Sequence, residues 1–167
     1  MSTLFYRNAS LEDLDKIVDI YNSTVHTRMV TADTEPVTTA SRLHWFHEHN
    51  PQTRPLWIVE DENNDMVGWV SFQSFYSRPA YAATAEISLY LDPTQRGKGI
   101  GKKILHHIID QAKTLGINTL LGFIFSHNDP SMKLFKVMGF EEWATLPNIA
   151  LLDGVERSLK ILGKRVN

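Results

Sequence analysis

Apolar residues follow two spacings along this chain. Residues 4–9 predict a short strand. Ser10 then has the look of an N-cap, with Asp13 three residues on. Leu11, Leu14, Ile17, Val18, Tyr21 and Val25 recur at three- and four-residue steps, which predicts an amphipathic helix over 11–25. Residues 28–37 read as irregular. A second helix is expected over 38–49, stopped by Pro51 and Pro55. Residues 56–60 and 66–75 predict two strands joined by the charged turn Asp61–Asp65, hence a hairpin. Another strand is expected over 83–91, with Glu86 at its middle and Asp92-Pro93 at its end.

A glycine loop follows, then a helix running to Ala112 or Leu115 with Gly116 as its C-cap. Residues 118–125 form a strongly apolar strand. Asn128 or Asp129 opens a short helix with Pro130 in its first turn, and Gly139-Phe140 ends it. Two last strands are expected around 141–146 and 156–162. The order describes one mixed α/β domain, residues 1–167, with one right-handed crossover near its centre.

Composition narrows the chemistry. The 167 residues are 43% hydrophobic and 22% charged, an ordinary globular balance. Seventeen Lys and Arg stand against nineteen Asp and Glu, a net charge of −2, which argues against a polybasic nucleic-acid binder. With no cysteine, disulfide scaffolds, thiolate metal sites and cysteine nucleophiles are excluded. No segment approaches 18 apolar residues, so a soluble cytoplasmic protein without membrane partners is expected.

The clearest chemical signal is Arg96-Gly97-Lys98-Gly99-Ile100-Gly101 between a strand and a helix. A helix N-terminus offers unpaired N–H groups and a partial positive charge to an oxyanion, and glycines let the backbone approach closely. Lys102 and Lys103 follow Gly101, so the hydroxyl that a nucleoside-triphosphate loop needs for magnesium is missing. The Gly-x-Gly-x-Gly spacing also differs from the dinucleotide fingerprint. Glu86 is a site candidate on physics alone, because a strand interior is a poor place for an unpartnered carboxylate. His44, His47 and His49 could suggest a metal, but no carboxylate completes a set, so none is expected.

Arg96-x-x-Gly99-x-Gly101 resembles the acyl-CoA pyrophosphate loop of the GNAT N-acetyltransferase superfamily, and the resemblance covers nearly the whole chain. Within it, Ile20-Tyr21-Asn22, Val67-Gly68-Trp69, Arg78-x-x-Tyr81, Glu86-x-Ser88-x-Tyr90-Leu91 and Asn128-Asp129-Pro130-Ser131 are most similar to the phosphinothricin and methionine-sulfoximine acetyltransferases. The resemblance implies a mostly antiparallel central sheet flanked by helices. It implies acetyl-CoA as acyl donor, a small-molecule amine as acceptor, a homodimer, and no nucleic-acid partner. Residues 97–102 (Gly97, Lys98, Gly99, Ile100, Gly101, Lys102) would meet the pyrophosphate after Arg96. Leu89, Tyr90 and Leu91 would pair with the pantetheine amides, and Asn128 would touch the cofactor arm. Glu86 would be the base that neutralises the amine. Arg78, Tyr81, Ile87 and Ser88 would lie on the substrate side.

Two departures from that pattern stand out. The position after Leu134 is Phe135, which cannot donate a proton. The segments Pro147–Ala150 and Asp153–Arg157 replace the family's substrate-end motif, which leaves the acceptor open. A peptide or protein amine acetyltransferase and a non-catalytic CoA-binding regulator are the alternative readings.

Overall fold

The computed structural model describes residues 2–166. Seven strands form one sheet in the order β1-β2-β3-β4-β5-β7-β6. They are β1 (Phe5–Asn8), β2 (Leu56–Glu60), β3 (Met66–Ser74), β4 (Thr84–Leu91), β5 (Thr119–Phe125), β6 (Glu141–Leu152) and β7 (Val155–Arg165). Every neighbouring pair is antiparallel except β4 with β5, which are parallel and joined through a helix. The helices are α1 (Leu14–Val25), α2 (Leu43–His47), α3 (Ile100–Ala112) and α4 (Asp129–Val137).

The two sheet faces carry different helices. Leu14, Ile17, Val18 and Ile20 of α1 pack with Leu56, Ile58 and Trp69, and Trp69 Nε1 donates to the Ile17 carbonyl at 3.1 Å. On the opposite face Ile100, Ile104, Leu105 and Ile108 of α3 pack with Val70, Phe72, Ala85 and Ile87. Alternation along β4 therefore sends Ala85, Ile87 and Leu89 under α3, and Tyr90 toward α1.

Most element boundaries agree with the sequence pattern to within a residue or two. The second helix is shorter than expected: a 3₁₀ turn at Ala40–Arg42 leads into only Leu43–His47. The last two strands are longer than expected. Asp153 (φ 51°) and Gly154 (φ 78°) make a left-handed two-residue turn that lets pairing run from Leu152↔Val155 back to Glu141↔Gly163. The register slips between Leu146 and Ala150, where Pro147 cannot donate to the ladder. No helix among the described residues is long and apolar enough to cross a membrane.

Candidate active site

The parallel ladder between β4 and β5 has only three pairs, Thr84↔Thr119, Ala85↔Leu120 and Glu86↔Leu121. Beyond Glu86 the strands diverge. β4 stays paired with β3 up to Leu91, and β5 with β7 up to Phe125, but neither has a partner across the gap. Alternate backbone N–H and C=O groups of Ile87–Leu91 thus face an opening in mid-sheet, where buried backbone groups ordinarily find partners. The opening is a cavity of about 530 Å³.

The glycine loop closes one end of this gap. Gly97 (φ 74°) and Gly99 (φ 76°) adopt left-handed backbone, and open space lies where a Cβ would project. Gly99 is the N-cap of α3, so the first N–H groups of that helix face the same opening. Arg96, Gly97, Gly99, Ile100, Gly101 and Lys102 line the gap with Leu89, Tyr90, Leu91 and Asn128. Asn128 is buried and caps α4 by accepting from the Ser131 N–H. Lys98 is not on the wall; its Nζ donates to Gln95 Oε1 at 3.3 Å. Phe135 fills the floor against Gly122, where a Cβ would come within 2.5 Å of its ring. A shape of this kind, an elongated slot with free strand amides at one end and a glycine-capped helix terminus at the other, fits a ligand with an amide-bearing arm and a phosphate head.

A second cavity, about 220 Å³, lies on the α1 face of the same strands. Trp69, Ser71 and Gln73 of β3 and Ser88 and Tyr90 of β4 form its floor; Tyr21, Val37, Arg42 and Trp45 form its walls. Ser88 and Tyr90 belong to both cavities, so the two meet at β4. Glu86 shares the face of Ser88 and Tyr90 and stands directly across the ladder from Gln73, a residue of this floor, but lines neither cavity itself. Among the described residues it has no cationic partner, and desolvation pushes its carboxyl above the usual carboxylate range. Burial pushes the Tyr90 phenol up as well, so it stays protonated and is a weak acid toward a thiolate.

The wall carries a fixed cation. Arg42 donates to Asp33 and lies over the Tyr21 ring; Tyr21 in turn donates to Asp33 and hydrogen-bonds Thr31. Sequence reading missed Arg42, Ser71 and Gln73. Polar residues at every second position of an apolar strand, Ser71 and Gln73, were a usable signal; Arg42 gave none, because its partners are Asp33 in an irregular stretch and Tyr21 on the separate helix α1.

The substrate-side expectations divide. Ser88 lines both cavities. Ile87 lines the gap through its backbone, while its side chain is buried under α3, on the face opposite Glu86. Arg78 and Tyr81 line neither cavity. They lie in the exposed β3–β4 connection, where Tyr81 packs edge-on against Phe75 and Tyr76. The histidines of α2 do not gather: among the described residues no group of three His, Asp or Glu could hold a metal.

Comparison with known proteins agrees with this geometry. The model of the acetyltransferase (GNAT) family matches residues 15–140. YwnH of Bacillus subtilis, provisionally named a phosphinothricin acetyltransferase, is 51% identical over 96% of this chain and 98% of its own. The L-methionine sulfoximine/L-methionine sulfone acetyltransferase of Salmonella typhimurium is 33% identical over 89% of this chain and 86% of its own. Among solved structures, a phosphinothricin acetyltransferase from Sinorhizobium meliloti in complex with acetyl-CoA superposes with a TM-score of 0.89 at 26% identity, covering 99% of this chain and 89% of that one. The chain belongs to the GNAT family and is an acetyltransferase.

Proposed function

We propose that this enzyme moves an acetyl group from acetyl-CoA to the primary amine of a small amino acid or amino-acid analogue. The observation that carries the reading is the meeting of the two cavities at Ser88 and Tyr90. The gap supports the donor: strand amides of Leu89–Leu91 suit the pantetheine arm, and the N–H groups after Gly97 and Gly99 suit the pyrophosphate. Acetyl-CoA supplies an activated acyl carbon, which a backbone N–H of β4 would polarise. The second cavity supports the acceptor. At about 220 Å³ it suits an amino acid and not a folded peptide chain.

An amine attacks only when neutral. A Lys-like amine is neutral about once in two thousand molecules at pH 7, and an α-amine near pKa 8 about one time in ten. Glu86 is placed in this reading as the base. Its raised pKa brings it nearer the amine's and improves it as a proton acceptor. Arg42, fixed by Asp33 and Tyr21, keeps guanidinium N–H groups for an oxyanion of the acceptor. The exposed edge strand β6, with Trp143, Ile149 and Leu151 on its surface, is read as the contact of a homodimer.

The test is release of free CoA thiol with acetyl-CoA and a panel of amino acids, their decarboxylated amines, methionine sulfoximine, phosphinothricin and short peptides. Turnover confined to amino acids and analogues supports the reading. Turnover confined to peptides points to a protein amine acetyltransferase. Tight acetyl-CoA binding without release on any amine points to a regulator.

A further inference from the structure

His49 follows α2 and is held at both ring nitrogens. Nδ1 faces the carbonyl oxygens of Trp45 (2.9 Å) and Phe46 (3.3 Å), and Nε2 faces Ser71 Oγ at 2.7 Å. Carbonyls only accept, so in the neutral ring Nδ1 bears the hydrogen and Nε2 is bare. Ser71 therefore donates its O–H to His49, and its oxygen lone pairs are left for whatever lies on its other side.

The two residues form a partition. Ser71 lines the acceptor cavity, and His49 lines a third cavity of about 280 Å³ on the far side. Ser71 stands across the ladder from Ser88, the residue where donor and acceptor cavities meet. A hydroxyl backed by an imidazole, itself oriented by a third group, thus faces the place where amine and acyl carbon come together.

Proton bookkeeping gives this pair a task. An alkylammonium has three N–H bonds and the amide product has one, so two protons leave nitrogen in each turnover. One carboxylate holds one proton. On the reading above, which this inference rests on, Glu86 takes the first. We propose that Ser71 and His49 carry the second proton away. As nitrogen bonds to the acyl carbon, its surplus proton passes to Ser71 Oγ while the Ser71 hydroxyl proton passes to His49 Nε2. The C–S bond then breaks, its electron pair leaving on the CoA sulfur. The His49 imidazolium keeps Nδ1–H on the Trp45 and Phe46 carbonyls and releases its new proton after the Ser71 hydroxyl re-forms, through solvent in the third cavity. Ser71 touches the substrate; His49 acts through it.

Burial holds the His49 pKa below the ordinary histidine value, so the ring is neutral and able to accept near pH 7. The charged groups around it are Glu48 beside it in sequence and Arg54 across the third cavity, with Glu86 beyond Gln73 on the sheet.

The test is the single-turnover rate of acetyl transfer to methionine sulfoximine, from pH 6 to 10, in the full-length enzyme and in Ser71→Ala and His49→Gln. Glutamine keeps an acceptor for the Ser71 hydroxyl but takes no proton, so it separates a relay from a merely satisfied buried pair. We expect each variant to lose about tenfold or more near pH 7, short of the 10²–10⁴-fold typical of a primary base. The loss should fade above the amine pKa, where the amine arrives with one proton fewer and Glu86 suffices. Acetyl-CoA affinity, measured by calorimetry, should not change, which reports that both variants are folded. A wild-type rate in His49→Gln, or a loss equal at every pH, overturns the relay. A wild-type enzyme that releases no CoA with any amine overturns the acetyl-transfer reading, and the relay with it.

Discussion

Arg42 Nη2 donates to Asp33 Oδ2 at 2.7 Å while its guanidinium lies 4.9 Å from the centre of the Tyr21 ring. A carboxylate and an aromatic face together fix a side chain that is otherwise rich in rotamers. Arg42 and Arg78 are rivals for the acceptor's oxyanion, and only Arg42 lines the cavity. Arg42→Ala should raise KM for methionine sulfoximine roughly tenfold to a hundredfold, the worth of a charge-assisted hydrogen bond at about 1.5–3 kcal/mol. It should leave KM for the decarboxylated amine unchanged if the α-carboxylate is the group held. Arg78→Ala should move neither; steady-state kinetics that reverse the two variants would give the role to Arg78.

Gly99→Asp should abolish acetyl-CoA binding. The left-handed φ of 76° costs a side-chain-bearing residue about 1–2 kcal/mol, and the new carboxylate would project into the opening where a pyrophosphate is expected. Gly99→Ala carries the strain without the charge and should weaken binding far less. Calorimetric titration of both variants checks this, and equal affinities would remove the loop from the donor site.

Glu86→Gln should slow acetyl transfer while making the fold more stable at neutral pH. Burial lifts the Glu86 pKa, so the folded chain holds that proton more tightly than the unfolded one. The resulting stability is full below the ordinary carboxylate pKa and is lost as pH rises through the raised value. Glutamine removes this cost, so the variant's gain in melting temperature should be largest above that window and vanish toward pH 4. Thermal unfolding across pH measures it; a gain independent of pH would mean that Glu86 is not desolvated.

Sedimentation at tens of micromolar should give twice the single-chain mass. Leu151→Lys, on an exposed position of the outer strand, should return the protein to the single-chain mass without lowering acetyl-CoA affinity. A wild-type chain that sediments alone rejects the β6 contact.

The proposed donor half of the site was legible because it is local. A strand, Gly97, Gly99, Gly101 and the start of α3 are contiguous, and both the turn geometry and the helix terminus follow from residue type. The proposed acceptor half was not, because it is built across the fold. Arg42 is defined by Asp33 and Tyr21, and Ser71 by His49, pairings that no periodicity reveals. Arg78 shows the converse: its motif spacing is clear, yet Pro79 begins a 3₁₀ turn in an exposed loop outside the cavities. The extent of the C-terminal hairpin was hidden by Pro147, although Asp153-Gly154 is a good hairpin turn in its own right.

The break between β4 and β5 has one more consequence. Sheets usually confine unpaired strand edges to their margins, where charge, proline or a covering loop discourages foreign strands. Here two edges face each other in the interior, after only three shared pairs. An extended ligand in the slot would be an eighth strand in all but name, so on the proposed reading the donor substrate would also complete the sheet, pairing edges that the chain alone leaves open at its centre.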